Sequence, residues 1–348
     1  MDLADRVKSF ELLGERLRMY DENSTSIDNL PLVTAAGLAS EANPWFTHRQ
    51  IRVALNNLGK ALTGANINRW LRAYNDKLAG ISIPKTIGVV MAGNIPAVGF
   101  HDLLCVLIPG HKLVAKLSSS DNYLLPAMAT ILSDHMPDWQ NHITFTSGRL
   151  ENFDAIIATG SANTSRYFEF YFGKYPHIIR KNRNGIGALS GSETAEDLLN
   201  LADDILLFFG MGCRSISKIY VPRGYDFSPL IQALCNYDHF ADHHKFRNNY
   251  DYLKSIFLVG REPFIDTGVL ILKEDQAIAS RIAMLHYEYY DHADAVVQSL
   301  QRDRELIQCV ITKMELPINS FRPGEGQNPA LWDYADQVDT MEFLLSGI

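Results

Sequence analysis

The sequence predicts an α/β protein built on parallel sheets and preceded by a helical segment. Two patterns predict this. Apolar residues recur at helical spacing through about the first eighty positions. From Ile81 onward, short apolar runs rich in β-branched residues alternate with helical stretches, the signature of βαβ units and hence of parallel sheet.

Each element follows from its residues. Leu3, Val7, Phe10, Leu13 and Leu17 share one helix face. Thr47-His48-Arg49-Gln50 fits a capping box, with Phe46 and Ile51 spaced as a hydrophobic staple, so a helix should run from about Arg49 towards Leu62. Thr86–Met91 reads as a buried strand, followed by a turn and a helix through Leu104. Lys112–Lys116 is the next strand, followed by a helix spanning Tyr123 to Leu132. His142–Phe145 and Ala155–Ala158 are two more strands, the latter ahead of a helix at Thr164–Phe172. Beyond Cys213, strands are expected at Lys218–Val221, Ser255–Val259, Val269–Leu272 and Leu306–Ile311.

Composition bounds the function. The 348 residues are 47% hydrophobic and 21% charged, enough for two domains with filled cores. Asp and Glu (40) outnumber Lys and Arg (32), and no basic run occurs, which argues against nucleic acid as a partner. No apolar stretch approaches the roughly 20 residues that span a bilayer. Met1-Asp2-Leu3-Ala4-Asp5 lacks the basic region and apolar core of a secretory signal. The four cysteines, Cys105, Cys213, Cys235 and Cys309, form no CxxC. A reducing, cytoplasmic setting is the expectation.

In sheets of this class ligands bind beyond the carboxyl ends of the strands, and three motifs stand there. Gly93-Asn94-Ile95-Pro96 follows the first strand; Asn94 could turn an amide donor to an oxyanion, or the segment could simply shape a turn. Lys116-Leu117-Ser118-Ser119-Ser120-Asp121 offers an amine and three hydroxyls suited to a ribose or phosphate, with Asp121 or Ser120 as a helix N-cap. Thr159-Gly160-Ser161 precedes a helix, whose N-terminus attracts a pyrophosphate. No GxGxxG follows a strand, unlike an ordinary Rossmann dehydrogenase.

Further on, Gly210-Met211-Gly212-Cys213-Arg214 puts a thiol on a glycine turn beside an arginine. A free cysteine is most often simply buried. On such a turn it would meet a ligand, and a nearby cation favours the nucleophilic thiolate. Arg214 could equally bind a coenzyme A phosphate or make a structural tie. His239 and His243 would share one helix face, but no further ligand pattern accompanies them, and no metal is expected. His101 could touch a ligand or cap a helix.

Taken in order, these motifs resemble the aldehyde dehydrogenase superfamily, and within it the acyl-CoA reductase branch of LuxC type. The resemblance runs from about Ile81 to the C-terminus and includes the tail Pro323-Gly324-Glu325-Gly326-Gln327 through Met341. It implies an aldehyde dehydrogenase-like fold of two parallel-sheet, Rossmann-like domains. The expected division is a helical segment over 1–80, a cofactor domain over 81–207, a catalytic domain over 208–325 and a tail over 326–348. It implies Cys213 as nucleophile and Asn94 as the oxyanion donor. Lys116, Ser118 and Ser119 would lie at the adenosine ribose, and Thr159, Gly160 and Ser161 at the pyrophosphate.

Departures from the family pattern refine this. Asn182 stands where aldehyde-oxidising members carry the glutamate that activates hydrolytic water, which suits transfer with coenzyme A. Ser119 replaces the glutamate of NAD-preferring members and Lys116 would welcome a 2′-phosphate, which points to NADPH, with NADH as the alternative. The chain is also shorter than typical members of either group. The implied activity is reduction of a fatty acyl-CoA to the aldehyde. The alternatives are reduction of an acyl phosphate or acyl adenylate, and a non-catalytic subunit bound to an acyl-activating or acyl-transferring protein. The resemblance also implies assembly into a homo-oligomer.

Overall fold

The computed structural model describes every residue except Thr25, Ile81, Ser82 and Gly347. The expected change of pattern at Ile81 therefore lies outside the described residues. Two compact units form, one of Met1–Lys181 with Ala330–Ile348, the other of Asn182–Pro329.

The first unit opens on α1 (Leu3–Arg18), α2 (Leu30–Ala42), α3 (His48–Ala61), α4 (Gly64–Leu71) and α5 (Asn75–Ala79). Asp2 and Asp5 cap α1 reciprocally through their backbone N–H groups, and Phe10, Leu13 and Leu17 on its inner face are fully buried. The Thr47 hydroxyl accepts from the Gln50 N–H at 3.3 Å, starting α3 one residue before the expected position, and both staple residues are fully buried.

Five strands follow: β1 (Thr86–Val90), β2 (Lys112–Lys116), β3 (Ile143–Thr146), β4 (Ala155–Thr159) and β5 (His177–Arg180). They pair in the order β3-β2-β1-β4-β5, all parallel. Helices α6 (Phe100–Leu107), α7 (Leu124–His135) and α8 (Ala162–Phe172) follow β1, β2 and β4. Ile87, Val89, Leu113, Ala115 and Ile157 from the sheet pack with Leu103 and Leu107 of α6 and Met128 of α7 in one core. Tyr334, Met341 and Leu344 from the C-terminal segment belong to the same core.

Polar ties hold that segment down. The Arg180 guanidinium donates to both oxygens of Asp102, at 2.7 and 2.6 Å, and to Thr340 Oγ1 at 2.8 Å. The Tyr334 hydroxyl accepts from Trp70 Nε1 at 2.7 Å. His101, on α6, lies 2.9 Å through Nε2 from the Leu331 carbonyl oxygen and between the rings of Trp70 and Tyr334. Burial pushes its pKa below the ordinary histidine value. His101 is thus a packing residue of this unit.

The second unit holds β6 (Asn184–Ala188), β7 (Ile216–Pro222), β8 (Ile265–Asp266), β9 (Ile271–Glu274), β10 (Met284–Tyr290) and β11 (Ile307–Thr312), with α9 (Ala195–Leu206), α10 (Ser228–Leu234), α11 (His244–Gly260) and α12 (Ala293–Arg302). The order is β11-β6-β7-β10-β9-β8, parallel except for the antiparallel β8–β9 pair.

Two sequence expectations are corrected here. Ser255–Val259 is the end of α11, not a strand. Phe246, Tyr250, Leu253 and Phe257 recur at three or four residues and are buried, while Leu258 and Val259 are exposed, so the short apolar run straddles both faces of a helix. His239 and His243 share no helix face. His243 is extended (φ −88°, ψ 102°) and starts α11, its Nδ1 accepting from the Phe246 N–H at 3.2 Å. Among the described residues no cluster of His, Cys, Asp or Glu could hold a metal ion, and no helix is long and apolar enough to cross a membrane.

Candidate active site

In the first unit the three strand-end motifs meet along one edge of one sheet. β1 lies between β2 and β4, with Val90 level with Lys116 on one side and Ala158 on the other. The strand order reverses direction at β1 and β4, which is where sheets of this topology hold their ligands.

Sequence-local chemistry shapes each loop. After β1 the chain turns back against the segment after β2. A Cβ on Gly93 would stand 2.4 Å from Ser118 Oγ, so only glycine allows this approach. Ala97 adopts a left-handed backbone (φ 56°), a conformation unusual for a residue with a side chain, and its N–H donates to Asp121 Oδ2 at 2.6 Å. Asp121 also faces the N–H of Leu124, the first residue of α7. The N-cap position of α7 is Tyr123, without a side-chain cap bond, so neither Asp121 nor Ser120 is the N-cap; Asp121 instead clamps the loop that carries Asn94. Asn94 itself is exposed, Lys116 and Ser118 are half-buried and Ser119 is exposed. After β4, the Ser161 hydroxyl accepts from the Thr164 N–H at 3.2 Å and caps α8. A Cβ on Gly160 would stand 2.8 Å from the Phe168 ring, so this turn too requires glycine.

Asp121 was not singled out as a loop clamp by sequence reasoning, which offered it only as a candidate N-cap. Burial raises its carboxyl pKa from 3.8 to about 6, the two N–H groups offsetting only part of that. A carboxyl whose pKa is higher folded than unfolded holds its proton more tightly in the folded state. Stability therefore falls as pH rises from about 4 through about 6 and levels off above. Asp121→Asn should remove this part of the slope. Urea unfolding should show the wild type losing on the order of 1–3 kcal/mol relative to the variant between acid and neutral pH. A difference that stays constant with pH would contradict the clamp's buried ionisation.

The second unit carries Cys213 on the turn that enters β7. Just before it, Phe208, Phe209 and Gly210 are all left-handed, with φ 56°, 57° and 70°. Two consecutive aromatic residues in this region are strained, by about 1–3 kcal/mol each, and such strain persists only where packing enforces it. The enforcing contacts are the rings of Phe240 and His243, each 4.4 Å from Phe209, and of Phe246 at 5.8 Å. The turn then closes on itself: the Ser215 N–H donates to the Gly212 carbonyl at 3.0 Å, and the Gly212 N–H to Ser215 Oγ at 3.2 Å. Cys213 between them is half-buried, whereas Cys105 and Cys309 are buried and Cys235 is exposed.

Arg214 is held structurally. Its Nε donates to the Gly326 carbonyl at 2.5 Å and its guanidinium lies 4.5 Å over the Phe321 ring. Its carbonyl oxygen sits where a Cβ on Gly185 would come within 2.5 Å, so β6 meets the turn through a glycine. Beneath lies Asp204, fully buried, which accepts from the Gly324 N–H at 2.6 Å. Burial pushes its carboxyl up to about 7. Neither Asp204 nor the 321–327 strap was assigned a role from sequence; the Gly324-Glu325-Gly326 pattern was the available signal. Asn182 is exposed in the segment joining β5 to β6.

No protein-family model matches the sequence, and no curated protein matches it either. Solved structures do resemble it. The aldehyde dehydrogenase KauB of Pseudomonas aeruginosa aligns over 90% of this chain and 72% of its own, at 13% identity and TM-score 0.62. A Mycobacterium tuberculosis aldehyde dehydrogenase complexed with NAD+ aligns over 91% and 74%, at 12% identity and TM-score 0.61. An oxidoreductase from Marinobacter aquaeolei aligns over 91% and 74%, at 10% identity and TM-score 0.64. At such identities the likeness speaks for architecture. The chain has an aldehyde dehydrogenase-like fold.

Proposed function

We propose that the protein is a nicotinamide-dependent reductase that converts a fatty acyl-CoA thioester to the aldehyde through a Cys213 acyl-enzyme. The observation that carries this reading is the Cys213 turn, a half-exposed thiol presented by a strained, aromatic-braced backbone in an aldehyde dehydrogenase-like fold. Strain of this kind concentrates at sites where geometry must be fixed in advance.

In the proposed reaction the Cys213 thiolate attacks the thioester carbonyl, and the C–S bond to coenzyme A breaks to release its thiolate. A backbone N–H near Cys213 would stabilise the oxyanion; a donor of this kind is worth about 3 kcal/mol. The bound dinucleotide would supply one hydride to the acyl carbon. With hydride so supplied, the role of Cys213 would be that of leaving group, its sulfur taking back the electron pair as the aldehyde departs. The donor set suits that cofactor. Lys116, Ser118 and Ser119 would hold the adenosine ribose, and the α8 start at Thr159-Gly160-Ser161 would hold the pyrophosphate.

Lys116 and Ser119, with no carboxylate at the Ser119 position, support NADPH over NADH. Asn182 in place of a water-activating glutamate supports release of an aldehyde over hydrolysis to an acid. Aldehyde formation from acyl-CoA, followed with each cofactor in turn, tests both. Faster turnover with NADPH is expected. A clear NADH preference overturns the reading of Ser119, and turnover of an acyl phosphate but not of acyl-CoA overturns the substrate.

A further inference from the structure

Within the second unit, the segment Phe321–Gln327 reaches the Cys213 turn from two sides. Arg214, next to the thiol, is tied to the Gly326 carbonyl and covered by Phe321. Ser215, which closes the turn, is reached by the Gln327 side chain, whose Nε2 lies 3.4 Å from Ser215 Oγ and 3.3 Å from the Asp204 carbonyl oxygen. Gln327 is 8% exposed, so these are contacts shielded from water. The far end of the strap is fixed on Asp204 through the Gly324 N–H. A Cβ on Gly326 would stand 2.6 Å from Asp204 Oδ1, so the strap lies against the carboxyl with no room for a side chain between them.

Ser215 Oγ is the hinge of this arrangement. It accepts from the Gly212 N–H and meets the Gln327 amide, so the residues on either side of Cys213 are fixed by one hydroxyl that Gln327 orients. We propose that Gln327 is a positioning residue for Cys213, setting the exposure and orientation of the thiol through Ser215 from an anchor on Asp204. The proposal rests on Cys213 as the nucleophile. The charged groups around this brace are Asp203 beside Asp204 on α9, Arg214 in the turn, and Arg322 and Glu325 in the strap.

The test is alkylation of the full-length protein by iodoacetamide, with modification of Cys213 and Cys235 read separately by peptide mass spectrometry across neutral to alkaline pH. Cys235 is exposed and lies outside the turn, so it serves as the internal reference. Gln327→Met keeps the length of the side chain and removes its amide. The Cys213 to Cys235 rate ratio should change by about fivefold or more, the rate equivalent of one lost buried hydrogen bond, with an altered pH profile and an unchanged Cys235 rate. A ratio within twofold of wild type at every pH, in a variant that melts cooperatively, overturns the proposal. Should Gln327→Met fail to fold, Ser215→Ala removes the shared hydroxyl and is read the same way. The readout needs no acyl substrate. A missing acyl-enzyme alongside a shifted alkylation ratio would thus reject the thioester reaction and leave the brace standing.

Discussion

Cys213→Ala is expected to abolish aldehyde formation from acyl-CoA, a fall of at least about 10³-fold in turnover, as for loss of a covalent nucleophile. The magnitude follows from what the residue does. Without the sulfur no acyl-enzyme forms, and the oxyanion donor has no tetrahedral centre to stabilise. The loss should be in turnover with little change in acyl-CoA binding, because the substitution removes one sulfur atom and the covalent step it performs. Cys235→Ala, outside the turn, should retain wild-type turnover. The other two cysteines, Cys105 and Cys309, are buried, and burial pushes the Cys105 thiol well above its ordinary pKa, which disfavours a nucleophilic thiolate there. Turnover of the Cys213→Ala protein within tenfold of wild type would exclude covalent catalysis by this residue.

The second large effect is on stability. Asp102→Ala should lower the unfolding free energy by about 3–5 kcal/mol, because it leaves the Arg180 charge buried without its partner. Asp102 and Arg180 are 8% and 4% exposed, and two short hydrogen bonds join them. The third partner, Thr340, belongs to the C-terminal segment, so the pair ties β5, α6 and the chain end together. Replacing both charges together, as Asp102→Leu with Arg180→Met, should cost less than the single change, since a buried pair is offset by its own desolvation. Urea denaturation measures both. A single-variant loss below about 1 kcal/mol, the range of an exposed pair, would show that water screens the site.

The fold was legible where local chemistry and tertiary context agree. β1, β2, β3 and β4 are short β-branched runs between turn residues, and all four form close to the expected bounds. β6 was not legible because Asn184-Gly185-Ile186-Gly187-Ala188 has two glycines and little β propensity. It forms because the glycines admit the Arg214 carbonyl and the Ile219 side chain, which a Cβ would meet at 2.5 and 2.9 Å. That is tertiary information. Ser255–Val259 failed for the opposite reason, since a five-residue apolar run does not reveal its period until it is set in the longer pattern from Phe246.

The candidate residues of each unit divide along the same line. Asn94, Lys116 and the turn at Gly160 in the first unit, and Cys213 in the second, lie in segments whose turn residues mark them. The groups that hold those segments, Asp121, Asp204 and Gln327, are single polar residues that acquire meaning only through burial. Ordinary sequence spacing offers no sign that Asp121 clamps Ala97 or that Asp204 anchors Gly324. The left-handed Phe208-Phe209 pair is similarly invisible, because nothing in an aromatic residue announces a positive φ.

The central claim is covalent acyl transfer to Cys213, and trapping measures it directly. Wild-type protein is incubated with radiolabelled long-chain acyl-CoA without nicotinamide cofactor, denatured and resolved by electrophoresis. The expected result is label on the wild-type chain, absent from Cys213→Ala and discharged from wild type as aldehyde when NADPH is added. No label on the wild type, or equal label on Cys213→Ala, would contradict the assignment of Cys213 as the nucleophile.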